Sequence, residues 1–365
     1  MITSGNDANG AGHKYAGQYI PCDYSNKEEI YRIAAQEKVD AICSCGNDLG
    51  AISASYACEK LGLPGHDTFQ NTRFFHEKDQ FKLLCEKLHL STPKSFAFSD
   101  VDSAVKFLSD ATYPLMIKPS DLGGGKGITV VYTYDEAVVA VENAYRLSKI
   151  KKILIEEYIN GTQHGFTCFI KDKKVSFAYM TDDFSYLNPY MVWVAIPRDD
   201  RDVCRKITDD VEKMAEELNM ADGMLTIQYL LKDGVPYYIE TMRRCLGNMH
   251  YKCLSWDYGV DIYKLFVANE AGLDTDEYLN QIGNKKSISA FMGIYADRNG
   301  TFVDYSIADQ WNAYLKGTLM LEKPGYVIEN YLSDKLGMLY FSFSEDLYKQ
   351  FVKEMRDIVH VTVQE

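Results

Sequence analysis

Residues 116–131 read MIKPSDLGGGKGITVV, and this run limits what the surrounding chain can become. Gly123, Gly124, Gly125 and Gly127 surround Lys126, a composition that no helix interior tolerates. The runs on either side, YPLMIKPS and GITVVYT, are apolar and partly β-branched, so the spacing predicts two strands joined by a glycine loop. Such a loop brings backbone N–H groups close to an anion, and Lys118 and Lys126 add charge beside it. Two phosphate cradles are excluded. The P-loop needs Gly-Lys-Ser/Thr, but Gly127 follows Gly125-Lys126 and Ser120 stands where its first glycine belongs. The dinucleotide fingerprint needs glycine at Ile128 and a helix after the loop, where this chain has a strand.

The flanking segments define the organisation. Ser25 and Glu28 stand at capping-box spacing ahead of the helix SNKEEIYRIAAQ. VDAICSC (39–45) reads as a short apolar strand, and LGAISASYACEKLGLPG as a helix ended by Gly-Leu-Pro-Gly. This alternation through residue 66 predicts a parallel sheet faced by helices. Further on, Thr133 with Glu136 caps a helix, KILIEEYI is a buried strand, and 165–196 reads as antiparallel strands with aromatic-rich loops. DDVEKMAEELNM is an amphipathic helix, and MLTIQYLLKDGVPYYIETM is a hairpin turning at Asp233-Gly234.

A net charge of −13 leaves no basic surplus for a nucleic-acid partner. An anionic ligand must therefore be small and held by a few local lysines and arginines. Nine cysteines without a C-x-x-C pair argue against a zinc or disulfide framework. No apolar run is long enough for a membrane partner, and no signal peptide opens the chain, so the expected compartment is the cytoplasm. At 365 residues the chain exceeds one small domain.

The order strand–Lys-Pro–glycine loop–strand, then ILIEEYINGTQHGF, then YYIETMRRCLG, resembles the ATP-grasp superfamily, with carboxylate–amine ligases, biotin carboxylase and the carbamoyl phosphate synthetase large subunit among its members. The resemblance runs over nearly the whole chain. It implies an α/β and α+β fold: an N-terminal parallel α/β domain at 1–90 lacking its usual first strand, an ATP-grasp domain at 91–283 with a lid at about 112–155, and a small C-terminal α+β domain at 284–365. It also implies ATP with Mg²⁺, or Mn²⁺, and an ADP-forming ligase. Such an enzyme activates a small-molecule carboxylate as an acyl phosphate for attack by an amine. Lys78, Lys118 and Lys126 match phosphate-contacting lysines, with Gly123, Gly124, Gly125 and Gly127 forming the lid loop. Glu156 matches the acceptor for the adenine amino group, and Glu157, Tyr158 and Ile159 the backbone that reads the ring edge. Gln163 replaces an acidic ribose contact, and His164 follows it. Gln228 and Glu240 match the metal ligands, and Arg244 the arginine that steadies the carboxylate. Tyr186, Tyr190 and Trp193 are candidates for an acceptor pocket, and the C-terminal segment for a homodimer contact.

Departures keep a second reading open. Met242 stands where the family has a metal-binding Asn, and a thioether is a poor donor to a hard cation. The alternative is a nucleotide-binding ATP-grasp module with lost or weak catalysis. Each residue also has a plain structural reading: Arg244 as an ion-pair partner, His164 as a hydrogen-bonded histidine, Lys78 as an ordinary first-turn residue.

Overall fold

The computed structural model describes residues 1–10, 12–122 and 125–364. Strand β1 (Ile2–Gly5) lies parallel to β2 (Gln18–Pro21), and helices α1 (Lys27–Glu37) and α2 (Asp48–Leu61) follow. The cap of α1 is Asn26, one residue beyond Ser25; its side chain accepts from the Glu29 N–H. Ser25 is instead engaged upstream, donating its hydroxyl to Asp23 at 2.7 Å. The expected strand at 39–45 does not form. Its backbone makes only an isolated parallel bridge, Cys45 to Cys245. Apolar sequence makes a strand only where a ladder partner is present, and the parallel sheet among the described residues stops at two strands. Helices α3 (Phe69–His76) and α4 (Lys78–Lys87) then lead into the antiparallel part of the molecule.

A small sheet comes first, built from β3 (Ser95–Phe98), β4 (Leu115–Pro119), β5 (Thr129–Val131) and β6 (Ile153–Glu157) in the order β3-β6-β4-β5. The two strands flanking the glycine loop, β4 and β5, pair antiparallel, as the sequence predicts. Helices α5 (Val101–Leu108) and α6 (Tyr134–Leu147) cover one face, and Thr133 caps α6 by accepting from the Glu136 N–H at 3.3 Å. The two-residue period of the strands sends Leu115, Ile117, Ile153 and Ile155 into this helix-covered core. Met116, Lys118 and Glu156 consequently point to the opposite face.

The central sheet starts with β7 (Thr162–Lys171), β8 (Lys174–Phe184) and β9 (Val194–Arg198). After α7 (Arg201–Leu218) come β10 (Gly223–Lys232) and β11 (Val235–Met242). Asp233 (φ 52°) and Gly234 (φ 74°) make the tight turn between the last two, because both adopt the left-handed conformation such a hairpin requires. Helices α8 (Tyr251–Tyr258) and α9 (Ile262–Glu270) precede β12 (Ile288–Ile294), β13 (Gly300–Ile307), β14 (Leu315–Met320), β15 (Val327–Ile328), β16 (Gly337–Phe343) and β17 (Val359–Gln364). The sheet order is β11-β10-β7-β8-β9-β12-β16-β14, so part of the C-terminal segment extends the central sheet. A separate sheet, β15-β13-β17, packs around Trp311 and Phe351.

The two faces of the central sheet have different cores. Phe166, Leu225, Ile227 and Tyr229 pack against α7 and α4, whereas Phe169, Phe177 and Met224 pack against α8 and α9. Among the described residues no helix is long and apolar enough to cross a membrane. Truncating Ile155, fully buried between the small sheet and its helices, leaves a cavity with little freedom to collapse. Ile155→Ala is expected to lower stability by about 2–5 kcal/mol. Urea unfolding followed by circular dichroism measures this, and a midpoint equal to that of the parent would contradict the packing described.

Candidate functional site

The polar face of the small sheet stands over one end of the central sheet, and a cavity of about 760 Å³ lies between them. Below it a row of paired residues runs across four strands, of which Gln228 and Glu240 line the cavity. Glu240 on β11 is opposite Gln228 on β10, Gln228 is opposite Gly165 on β7, and Gly165 is opposite Thr181 on β8. A β-bulge makes the row possible. Tyr229 pairs with Tyr238 while Gln228 pairs with Glu240, which leaves Ile239 as the extra residue. Tyr238 is therefore buried in the core with Tyr229, and Glu240 turns to the cavity.

Cations approach this floor from two elements. Lys78, first residue of α4, places Nζ 3.0 Å from Glu240 Oε2. Burial pulls the Lys78 pKa down, but the Glu240 carboxylate outweighs it and leaves it above its ordinary value. Lys118 on β4 lies 2.6 Å from Glu156 Oε2 on β6. Glu156 also has Lys82 Nζ 3.7 Å from its other oxygen, and both lysines and the glutamate are buried. Burial alone would raise the Glu156 pKa; Lys118 and then Lys82 outweigh it and hold the group below its ordinary value. The carboxylate expected to accept from an adenine amino group is thus engaged by two ammonium groups. Glu157, Tyr158 and Ile159 continue along the cavity wall, together with Gln163 and Gly125.

Of the other expected residues, His164 and Tyr190 are among those lining the cavity, and others lie elsewhere. Lys126 is exposed, and neither it nor Gly127 lines the cavity; Gly123 and Gly124 fall outside the described residues. The His164 side chain is on the face of β7 opposite to Gly165, where Nδ1 is 2.9 Å from Asp182, the ring stacks near Tyr229, and Arg198 also binds Asp182. Arg244 is buried and turned to Asp48, at 2.8 Å and 3.3 Å to the two carboxylate oxygens, with His76 on the same carboxylate at 2.8 Å. The ion-pair reading of Arg244 therefore describes its contacts. Of the aromatic candidates, Tyr190 lines the cavity. Trp193 is buried, donating Nε1–H to the Gly293 carbonyl, and Tyr186 stacks on it 4.9 Å away. Sequence reasoning missed Lys82, whose only signal was its place one turn after Lys78, and Asp183, which the strand period would have put on the same face as Thr181.

Gln228 and Glu240 supply one amide and one carboxylate side by side on adjacent strands. Among the described residues no group of three or more His, Cys, Asp and Glu side chains gathers as a metal cage. Magnesium bound to nucleotide needs no such cage, since it keeps waters and phosphate oxygens and takes one or two protein donors. The pair fits that requirement. Met242 is buried and adds no hard donor.

Residues 76–188 match the phosphoribosylglycinamide synthetase ATP-grasp (A) domain. The structure superposes on the L-amino acid ligase of Bacillus licheniformis with a TM-score of 0.80 at 19% identity, covering 96% of this chain and 88% of that one. Over residues 76–188 this chain matches an ATP-grasp domain, and its fold is that of these solved structures. The biotin carboxylase domain dimer of Hydrogenobacter thermophilus 2-oxoglutarate carboxylase, in complex with MgADP and bicarbonate, gives a TM-score of 0.75 at 20% identity over 100% of this chain and 85% of that one. In sequence, the C-terminal section of the carbamoyl phosphate synthase large chain of Methanocaldococcus jannaschii is 22% identical over 277 residues, 71% of this chain and 43% of that protein. The chain spans less than half the length of that relative. In this structure the cavity lies where the two antiparallel sheets face each other.

The Lys118–Glu156–Lys82 cluster makes a stability prediction. Glu156→Ala leaves two buried ammonium groups without their shared counterion, and a loss of about 3–5 kcal/mol at neutral pH is expected. In the parent, the contribution of this carboxylate is complete above its unfolded pKa of about 4.3 and is lost as pH falls through its lower folded value. Urea titrations of parent and variant from neutral to acidic pH measure both effects. Their midpoints should converge in acid.

Proposed function

We propose that this protein is an ATP-dependent, ADP-forming ligase that joins a small-molecule carboxylate to an amine. The observation that carries the reading is the cavity itself, which Lys78 and Lys118 share with the Gln228–Glu240 pair at the junction of two antiparallel sheets. The ATP-grasp match over residues 76–188 supports it, as does the likeness to an L-amino acid ligase and to a carboxylase domain crystallised with MgADP.

On this reading the adenine lies along Glu157–Ile159, where strand β6 ends, and the triphosphate runs toward Lys78 and Lys118. Both ammonium groups sit in surroundings of low dielectric, where a fixed charge stabilises phosphoryl transfer more than it does in water. Gln228 and Glu240 would hold Mg²⁺, which when bound would supply positive charge to offset that on the transferring group. A carboxylate oxygen of the first substrate bonds to the γ-phosphorus and the bond to ADP breaks. The amine nitrogen then bonds to the acyl carbon, the bond to the phosphate oxygen breaks, and the nitrogen loses a proton. The chain's contribution is positioning and charge, not a covalent intermediate of its own.

Isothermal titration with ATP in Mg²⁺ and again in EDTA tests the reading. Mg²⁺ should tighten binding, and Glu240→Ala should abolish that gain. Lys78→Ala should weaken ATP binding at least about tenfold in Mg²⁺, the effect of removing one charge-assisted phosphate contact. Equal affinity with and without metal would favour the nucleotide-binding module that Met242 raises.

A further inference from the structure

The cavity contains a carboxylate with no counterion. Asp183, at the end of β8, has its side chain on the floor face with Thr181 and lines the cavity. Its one side-chain partner is Thr181, whose hydroxyl donates to Oδ1 at 2.7 Å. Among the described residues no Lys, Arg or His nitrogen lies within 4.0 Å of it. The adjacent Asp182 also lines the cavity but has its own partners. It lies on the other face, is paired with His164 and Arg198, and accepts from Tyr348 at 2.5 Å. Arg198 divides its guanidinium between Asp182 and Asp200, so it does not serve Asp183.

Glycine at 165 is what lets this carboxylate reach the floor. A Cβ there would lie 2.6 Å from Thr181 Oγ1 and 3.3 Å from Asp183 Oδ2. The carboxylate therefore sits over the bare backbone of β7, and the next residue in the row is Gln228. Adjacent strands are about 4.8 Å apart, which puts Asp183 Oδ2 roughly one strand from Gln228 and two from Glu240. Burial pushes the acid up to about 7, with the Thr181 hydroxyl opposing and the Asp182 charge adding to it, as expected for a carboxylate lacking a cation. The cavity is thus bipolar. Ammonium groups approach one end of the row; at the other, Asp183 lacks a counterion while Asp182, His164 and Arg198, which also line the cavity, are paired among themselves.

We propose that Asp183 receives the ammonium group of the amine substrate near the Gln228–Glu240 edge and accepts the proton that the nitrogen gives up before it attacks. This rests on the ligase reading and narrows it: the amine substrate is recognised as a cation, with Thr181 fixing the carboxylate and Gly165 clearing its approach. Substrates whose nucleophilic nitrogen carries no charge would lack this contact.

The test compares two small probes of nearly equal shape, glycinamide with an ammonium group and glycolamide with a hydroxyl in its place. Their binding to the protein loaded with Mg²⁺ and β,γ-imido-ATP is followed by saturation-transfer NMR, with nucleotide affinity measured in the same samples. The parent should bind glycinamide at least about tenfold more tightly than glycolamide, and Asp183→Asn should erase that preference. Thr181→Val, which keeps the charge and frees the carboxylate, should weaken glycinamide at least about threefold; it decides the matter if Asp183→Asn no longer binds nucleotide. Equal binding of the two probes by the parent, or an unchanged preference in the variants, overturns the assignment while the ligase reading stands. Failure of the parent to bind nucleotide overturns both.

Discussion

A single buried carboxylate joins the two halves of the site. Glu156 belongs to the small sheet, and its two lysines come from different places: Lys118 from the neighbouring strand, Lys82 from helix α4 beneath the central sheet. Lys82 also donates to Thr92 at 2.6 Å and to the Tyr238 carbonyl on β11 at 3.0 Å. Burial lowers the Lys82 pKa to about 8, Glu156 opposing and Lys118 adding to the fall. Three ionisable groups out of water are costly unless each one satisfies another. The arrangement therefore fixes the orientation of the small sheet above the central sheet, and with it the direction in which Lys118 faces the cavity.

The floor is fixed by a different constraint. Strands in register put one residue from each on the same side, so the row from Glu240 to Thr181 follows from pairing alone. The bulge at Ile239 makes the row compatible with a core. Without the extra residue, Tyr238 and Glu240 would share a face, and either a carboxylate would enter the apolar core or a tyrosine would leave it. Gly165 serves the row in the opposite way, by having no side chain where Thr181 and Asp183 meet.

What the sequence revealed and what it hid divide along the range of the interactions. The glycine loop between two strands, the Asp233–Gly234 hairpin, the Thr133 cap and the cavity-facing positions of Lys78, Lys118, Gln228 and Glu240 depend on neighbours in the chain or on a two-residue period. These were legible. The cap at Asn26 instead of Ser25 turns on a local competition, since Asp23 takes the serine hydroxyl. Residues 39–45 required a strand partner that the sequence pattern does not encode. The tie from Arg244 to Asp48 joins residues 196 positions apart, and the engagement of Glu156 by Lys82 depends on how a helix docks beneath a sheet. His164 is among the residues that line the cavity, while its ring is paired with Asp182 and stacked near Tyr229, contacts that depend on the pairing register.

The internal pairing of the lysines bears on how ligands would act together. Lys78 is bound to the same Glu240 that the proposed function assigns to the metal, and Lys118 to Glu156. A phosphate drawing Lys78 to itself frees a Glu240 oxygen, and a cation taken up by Glu240 frees the ammonium. Each ligand thus removes the partner that competes with the other, and linkage requires that the assistance be equal in both directions. Lys118 does not exchange in this way, since Glu156 keeps Lys82 and stays buried. One lysine at the site is therefore a fixed charge and the other a switchable one. That difference follows from Glu240 lining an open cavity while Glu156 is sealed at the junction of the sheets.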